Sequence, residues 1–218
     1  MGQSAGGVPG QRADKRILAQ VYSLIPRLDG DLQRLEAFIR WAAGPAIAGI
    51  KSASLIRIPC PGLSRAWKIW GTGLCASMGV HALSLREGPL GILALLFRRR
   101  RLMRKTMTGA PARYLRSLDY PVASGLDPCL AYLKGRFGQP GCFPHEVGVF
   151  LGYPLEDVIA FRAGKPSPYA CHGYWKVYHR PERAQRAFAY MDAARLRLVR
   201  EYLPCNEDGL PLTSLGNP

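Results

Sequence analysis

Between Val80 and Arg98 the chain runs Val-His-Ala-Leu-Ser-Leu-Arg-Glu, then Gly88-Pro89-Leu90, then Gly-Ile-Leu-Ala-Leu-Leu-Phe-Arg. Two extended runs about a Gly-Pro turn predict an antiparallel hairpin. Every residue from Ile92 to Phe97 is apolar, and a strand of that kind is buried on both faces, so the second arm is expected at the centre of a sheet. Ala53–Pro59 carries Leu55, Ile56 and Ile58 ahead of a Pro-Cys-Pro-Gly turn and predicts another strand, and Gly173–Tyr178 a fourth. The expected fold class is therefore α+β: a small, mainly antiparallel sheet of about four strands packed with several helices.

Apolar spacing places those helices. Ile17, Leu18, Val21 and Leu24 predict one up to Ile25, ended by Pro26, and Leu32, Leu35 and Ile39 a second, stopping at Gly44-Pro45. A third is expected to be capped by Ser64, with Ala66, Trp67, Trp70, Leu74 and Met78 on one face, both tryptophans in the core, and an end at Gly79. Shorter helices are predicted over 112–118 and 127–137, and a long last one over 181–203 with Ala184, Phe188, Met191 and Leu198 in its stripe. With mobile tails at 1–10 and 204–218, residues 11–203 read as a single domain.

Charge and cysteine usage narrow the setting without naming a function. Thirty Lys and Arg against 15 Asp and Glu give a net charge of +15, a field that attracts nucleic acid, anionic lipid or an acidic protein. Six widely spaced cysteines with no secretory leader ahead of them predict free thiols and a cytoplasmic protein. The longest apolar run, Leu90–Phe97, falls far short of the ~20 residues of a spanning helix, so no membrane span is expected.

The distinctive residues concentrate in Phe143-Pro144-His145-Glu146, in Phe150-Leu151-Gly152-Tyr153-Pro154 with Glu156-Asp157-Val158, and in Gly173-Tyr174-Trp175-Lys176-Val177-Tyr178. Together these resemble the bacterial domain-of-unknown-function family 3793, over about residues 30–203. In that family a Cys directly precedes the Gly-Tyr-Trp segment; here His172 stands there and Cys171 before it. The resemblance implies no reaction and no cofactor. It implies, at most, association with a flavodoxin-like redox partner.

Three functional classes follow from the residues. The preferred one is a binding or accessory protein whose basic face, built from Lys51, Arg98, Arg100 and Lys176 with Tyr174 and Tyr178, engages a small anionic ligand or an acidic, flavodoxin-like protein. Arg98–Arg101 is read here as the end of a strand, with Arg98 and Arg100 on one side. The second is an enzyme or metal-binding protein using His145, Glu146, Cys171 and His172, although Cys142/His145 and Cys171/His172 are poorly spaced for a metal, and no metal site is assigned. Two short helices about Gly152, each with a Pro at its first position, suggest a helix-turn-helix as the third, but Leu155, Glu156 and Asp157 would then face a polyanion.

Overall fold

The computed structural model describes residues 9–141, 143–164 and 168–202, with side chains from residue 16 onward. The expected tails lie outside that range, except that the first helix, α1, begins at Pro9 and runs to Leu24. α2 (Asp31–Ile47) follows, then β1 (Ala53–Ile58), α3 (Gly62–Ser77), β2 (His81–Gly88) and β3 (Gly91–Phe97). After the sheet come α4 (Arg99–Thr106), α5 (Gly109–Arg116), α6 (Leu126–Gly138), α7 (Val147–Phe150) and α8 (Leu155–Arg162). A two-residue ladder, β4 (Cys171–His172) with β5 (Lys176–Val177), precedes α9 (Pro181–Arg200).

The sheet is antiparallel with β3 in the middle, in the order β1-β3-β2. Ala53 pairs with Phe97 on one side of β3 and His81 with Phe97 on the other. Side chains alternate across a strand, and here both faces are covered. Ile56, Ile58, Ile92, Ala94 and Leu96 pack with Val21, Leu35, Ile39, Trp67 and Leu198 from α1, α2, α3 and α9. Ala53, Leu93, Leu95 and Phe97 pack with Leu102, Leu115, Leu133, Phe150 and Val158 from α4 to α8. Double burial is why β3 has no polar position.

Several elements differ from the sequence reading. The Gly173–Tyr178 segment does not join the main sheet; Lys176–Val177 pairs with Cys171–His172 in a separate hairpin seated on α9 through Val177, Ala184 and Phe188. Gly44-Pro45 does not end α2, because Ala46 and Ile47 beyond the expected stop are both buried and tertiary packing outweighs the missing proline N–H. Gly44 is also where α9 crosses: a Cβ there would come within 3.0 Å of the Arg195 Cα. In α3 the hydroxyl of Ser64 donates to the Pro61 carbonyl at 2.9 Å and caps nothing, and only Trp67 of the two tryptophans is buried; Trp70 is 38% exposed.

The arginine run starts a helix instead of extending β3. Arg98 precedes α4, and its guanidinium donates to the carbonyls of Ala46, at 3.0 Å, and Ile47. Arg101 donates to the Ile50 carbonyl at 2.8 Å. These are carbonyls at or just past the end of α2, where the donors of a continuing helix are missing; that of Ala46 also accepts the Gly49 N–H at 3.0 Å. Half of the run is thus a C-terminal cap delivered from 50 residues away. Among the described residues no helix is long and apolar enough to cross a membrane.

Candidate functional site

Three chain segments, 143–148, 151–161 and 175–176, meet around one cavity of about 320 Å³. Phe143 and His145 arrive from the turn before α7, Val147 from α7, Leu151 and Tyr153 from the α7–α8 corner, Val158 and Phe161 from α8, and Trp175 and Lys176 from the hairpin. Neither proline opens its helix. Pro144 precedes α7 by three residues and accepts the Val147 N–H at 3.0 Å, and Pro154 stands just ahead of α8.

Asp157 holds this arrangement together. Its carboxylate is 2% exposed and accepts the Trp175 indole N–H at 3.0 Å, the backbone N–H groups of Tyr178 and His179 at 2.9 and 3.0 Å, and contacts His179 Nδ1 at 3.1 Å. The sequence reading gave Asp157 no role beyond its place, with Leu155 and Glu156, at the start of the second short helix. One signal was present: Asp157 is three residues before Ala160, on the face that α8 buries. A second tie closes the hairpin, where the Tyr153 hydroxyl donates to the Tyr174 carbonyl at 2.8 Å. Gly173 is required there, since a Cβ would stand 2.5 Å from the Phe188 ring.

The mouth of the cavity is aromatic and cationic. Phe143 and Phe161 are 42% and 36% exposed, and the His145 ring lies edge-on to Phe161 with centroids 4.9 Å apart. Lys176 Nζ stands 5.3 Å from the ring centres of both Phe161 and Tyr169. Exposed apolar groups gathered at one place mark a contact surface, and a cation over ring faces adds an anion-attracting point.

Of the residues singled out from the sequence, the cavity brings together His145 and Lys176. The others lie elsewhere. Glu146 is 1% exposed, accepts the Tyr120 hydroxyl at 3.1 Å and pairs with Arg136 at 3.2 Å, a structural ion pair under α6. Replacing it by Gln is expected to destabilise the protein by about 2 kcal/mol, read from the urea midpoint, because a buried charge-assisted bond is lost while the Tyr120 bond persists. An unchanged midpoint would contradict this placement.

Lys51 is 6% exposed, its ammonium 4.9 and 5.5 Å from the ring centres of Tyr153 and Tyr174, and burial, with Arg195 nearby, lowers its pKa to about 7. Arg98 is consumed by the α2 carbonyls, while Arg100 is exposed on α4. Tyr174 is half-buried with its hydroxyl donating to Asp192 at 2.8 Å, and Tyr178 is half-buried beside the Asp157 latch. The aromatic partners of Lys176 are instead Phe161 and Tyr169, and nothing in their spacing announced that role.

Cys171 and His172 point to opposite sides of β4, as neighbours in a strand do. Cys171 turns toward the Val177 cluster, and burial, followed by the carboxylates of Asp157 and Glu182, pushes its thiol pKa up, away from the thiolate a nucleophile needs. His172 is exposed with its ring 5.6 Å from Tyr169. Cys142 lies outside the described residues, among which no group of three or more His, Cys, Asp and Glu side chains is placed to hold a metal ion. α7 is a single turn whose four residues are all buried, so it cannot lie across a DNA backbone as the first helix of a helix-turn-helix does.

No curated protein and no solved structure matches this chain. The sequence model of one family, described as "Protein of unknown function (DUF3793)", matches residues 39–208, which take in the sheet, the cavity and α9. The chain therefore belongs to the DUF3793 family of proteins of unknown function.

Proposed function

We propose that this is a cytoplasmic binding or accessory protein that takes a planar, largely apolar anion at the aromatic mouth of the cavity. The observation that carries this reading is the convergence of the three distinctive segments on one apolar chamber with Lys176 at its wall. A volume of about 320 Å³ is at the lower end of the usual small-ligand range, ~300–1,000 Å³, which suits one or two fused rings. Phe161 and Tyr169 supply faces for stacking, and Lys176 supplies the counter-charge. An acidic, flavodoxin-like redox protein would reach the same mouth with a planar group at its surface, and the excess of basic residues would steer it there.

The test uses 8-anilinonaphthalene-1-sulfonate, a planar apolar anion that reports its own burial by fluorescence. Saturable binding to the folded protein is expected, weakened about tenfold in Lys176→Glu, equivalent to about 1.4 kcal/mol. Phe161→Ala should weaken it as well. Binding of equal strength in wild type and Lys176→Glu would remove the cavity mouth from consideration.

A further inference from the structure

Tyr153 and Trp175 also belong to the wall of a second hollow, a groove of about 410 Å³ between α4, α8 and the start of α9. Its lining is of another kind. Lys105, His179, Arg180 and Arg183 all border it, with Glu156 the opposing charge, and Met191 and Trp175 give it apolar surface. None of the ion pairs among the described residues involves Lys105, Arg180 or Arg183. The only one of those pairs that reaches the groove's border sets His179 Nδ1 against Asp157.

Two features fix the chain that carries this cluster into α9. Asp157 engages His179 through Nδ1 and through its backbone N–H, which fixes the ring and leaves Nε2 as the nitrogen not engaged by Asp157. The next residue, Arg180, has φ 52° and ψ 59°, a left-handed conformation that a non-glycine residue adopts only when its surroundings impose it. Its carbonyl accepts the N–H groups of Arg183 and Ala184 at 3.1 and 3.2 Å, so the strained residue starts α9 and sets Arg180 and Arg183 one turn apart. The N-terminal end of that 20-residue helix adds a positive pole to the same groove.

We infer that the groove is a second ligand site, separate from the aromatic cavity though walled in part by the same Tyr153 and Trp175, for a small phosphate monoester. Arg180 and Arg183 are its planar donors, Lys105 a further cation, the His179 imidazole a hydrogen-bonding contact, and the Trp175–Met191 surface takes an apolar body. Guanidinium groups match phosphate oxygens in pairs, and two of them one helical turn apart suit one dianion.

Calorimetric titration of the full chain with phenyl phosphate at low salt tests this. Wild type should show saturable one-to-one binding, tighter than that of inorganic phosphate because the ring uses the apolar wall. Arg180→Ala/Arg183→Ala should weaken it at least tenfold, and Arg183→Ala alone, which leaves the strained residue untouched, by threefold or more. Arg197→Ala/Arg200→Ala removes the same charge from the far end of α9 and should change affinity less than twofold. Equal loss in the two double variants would reduce the groove to a share of the general positive field. Binding of a 20-base-pair DNA duplex with no uptake of phenyl phosphate would also overturn the assignment, in favour of a polyanion surface.

Discussion

Asp157→Ala is expected to lower the stability of the protein by about 3–5 kcal/mol, the range for removing one partner from a buried charged network. The carboxylate is 2% exposed and serves four groups on the hairpin and the start of α9. Truncation leaves the Trp175 indole N–H and two backbone N–H groups without their acceptor, and each hydrogen bond to a charged group contributes ~1.5–3 kcal/mol in a non-additive way. Set against a typical total of 5–15 kcal/mol, the loss is large enough to melt the hairpin ahead of the sheet. Urea unfolding gives the total, and native-state hydrogen exchange locates it: the Tyr178 and His179 amides should lose protection first. Asp157→Asn keeps the shape and one acceptor oxygen and should fall between. A wild-type midpoint in Asp157→Ala, with both amides still protected, would mean that the β5–α9 junction is held by packing alone.

This latch also marks the boundary of what the sequence could disclose. Strand β3 was legible because double burial leaves a run with no polar residue, and the hairpin was legible because its Gly-Pro turn lies between two extended runs. Such patterns arise from local geometry repeated along the chain. The arginine run was misread for the opposite reason: the carbonyls that Arg98 and Arg101 satisfy sit about 50 residues earlier, and no periodicity encodes a cap delivered from another element. Gly44-Pro45 looked like a stop signal because proline breaks isolated helices, yet the buried Ala46 and Ile47 beyond it outweigh that preference.

At the candidate site the same division holds. The three distinctive segments could be named as a group, and His145 and Lys176 do line one cavity. Glu146 stood with His145 among the candidate residues of the enzyme reading, whereas the structure commits Glu146 to Arg136 and Tyr120 on the buried side of the turn. Tyr174 and Tyr178 were paired with Lys176 by strand alternation. Only two residues of that segment form a strand, so the alternation does not extend to them, and Phe161 from α8 and Tyr169 take their place.

Lys51→Met is expected to raise stability at pH 6 by about 3 kcal/mol and to remove a pH dependence that the wild type carries. Burial lowers the folded-state pKa of Lys51 from 10.5 to about 7, so the unfolded chain holds this proton more tightly than the folded one. Below pH 7 both states are protonated and the full penalty applies. Between pH 7 and 10.5 the folded protein releases the proton while the unfolded chain keeps it, and stability therefore rises with pH. The 3.5-unit difference corresponds to about 5 kcal/mol at 1.36 kcal/mol per unit. Met also gives up the contacts the amine makes with the Tyr153 and Tyr174 rings and fills its place less well, which holds the gain to about 3 kcal/mol. Met retains the unbranched stem and discards the charge. The free energies of the two proteins, taken at intervals from pH 6 to 8.5, should converge as pH rises, a window that stays below the ionisation of the tyrosines. Parallel curves, or a variant less stable than wild type at pH 6, would mean that the charged lysine contributes to the fold through its rings. A converging pair would leave Lys51 as a buried amine that folding alone does not account for, standing behind Tyr153, a residue common to both hollows.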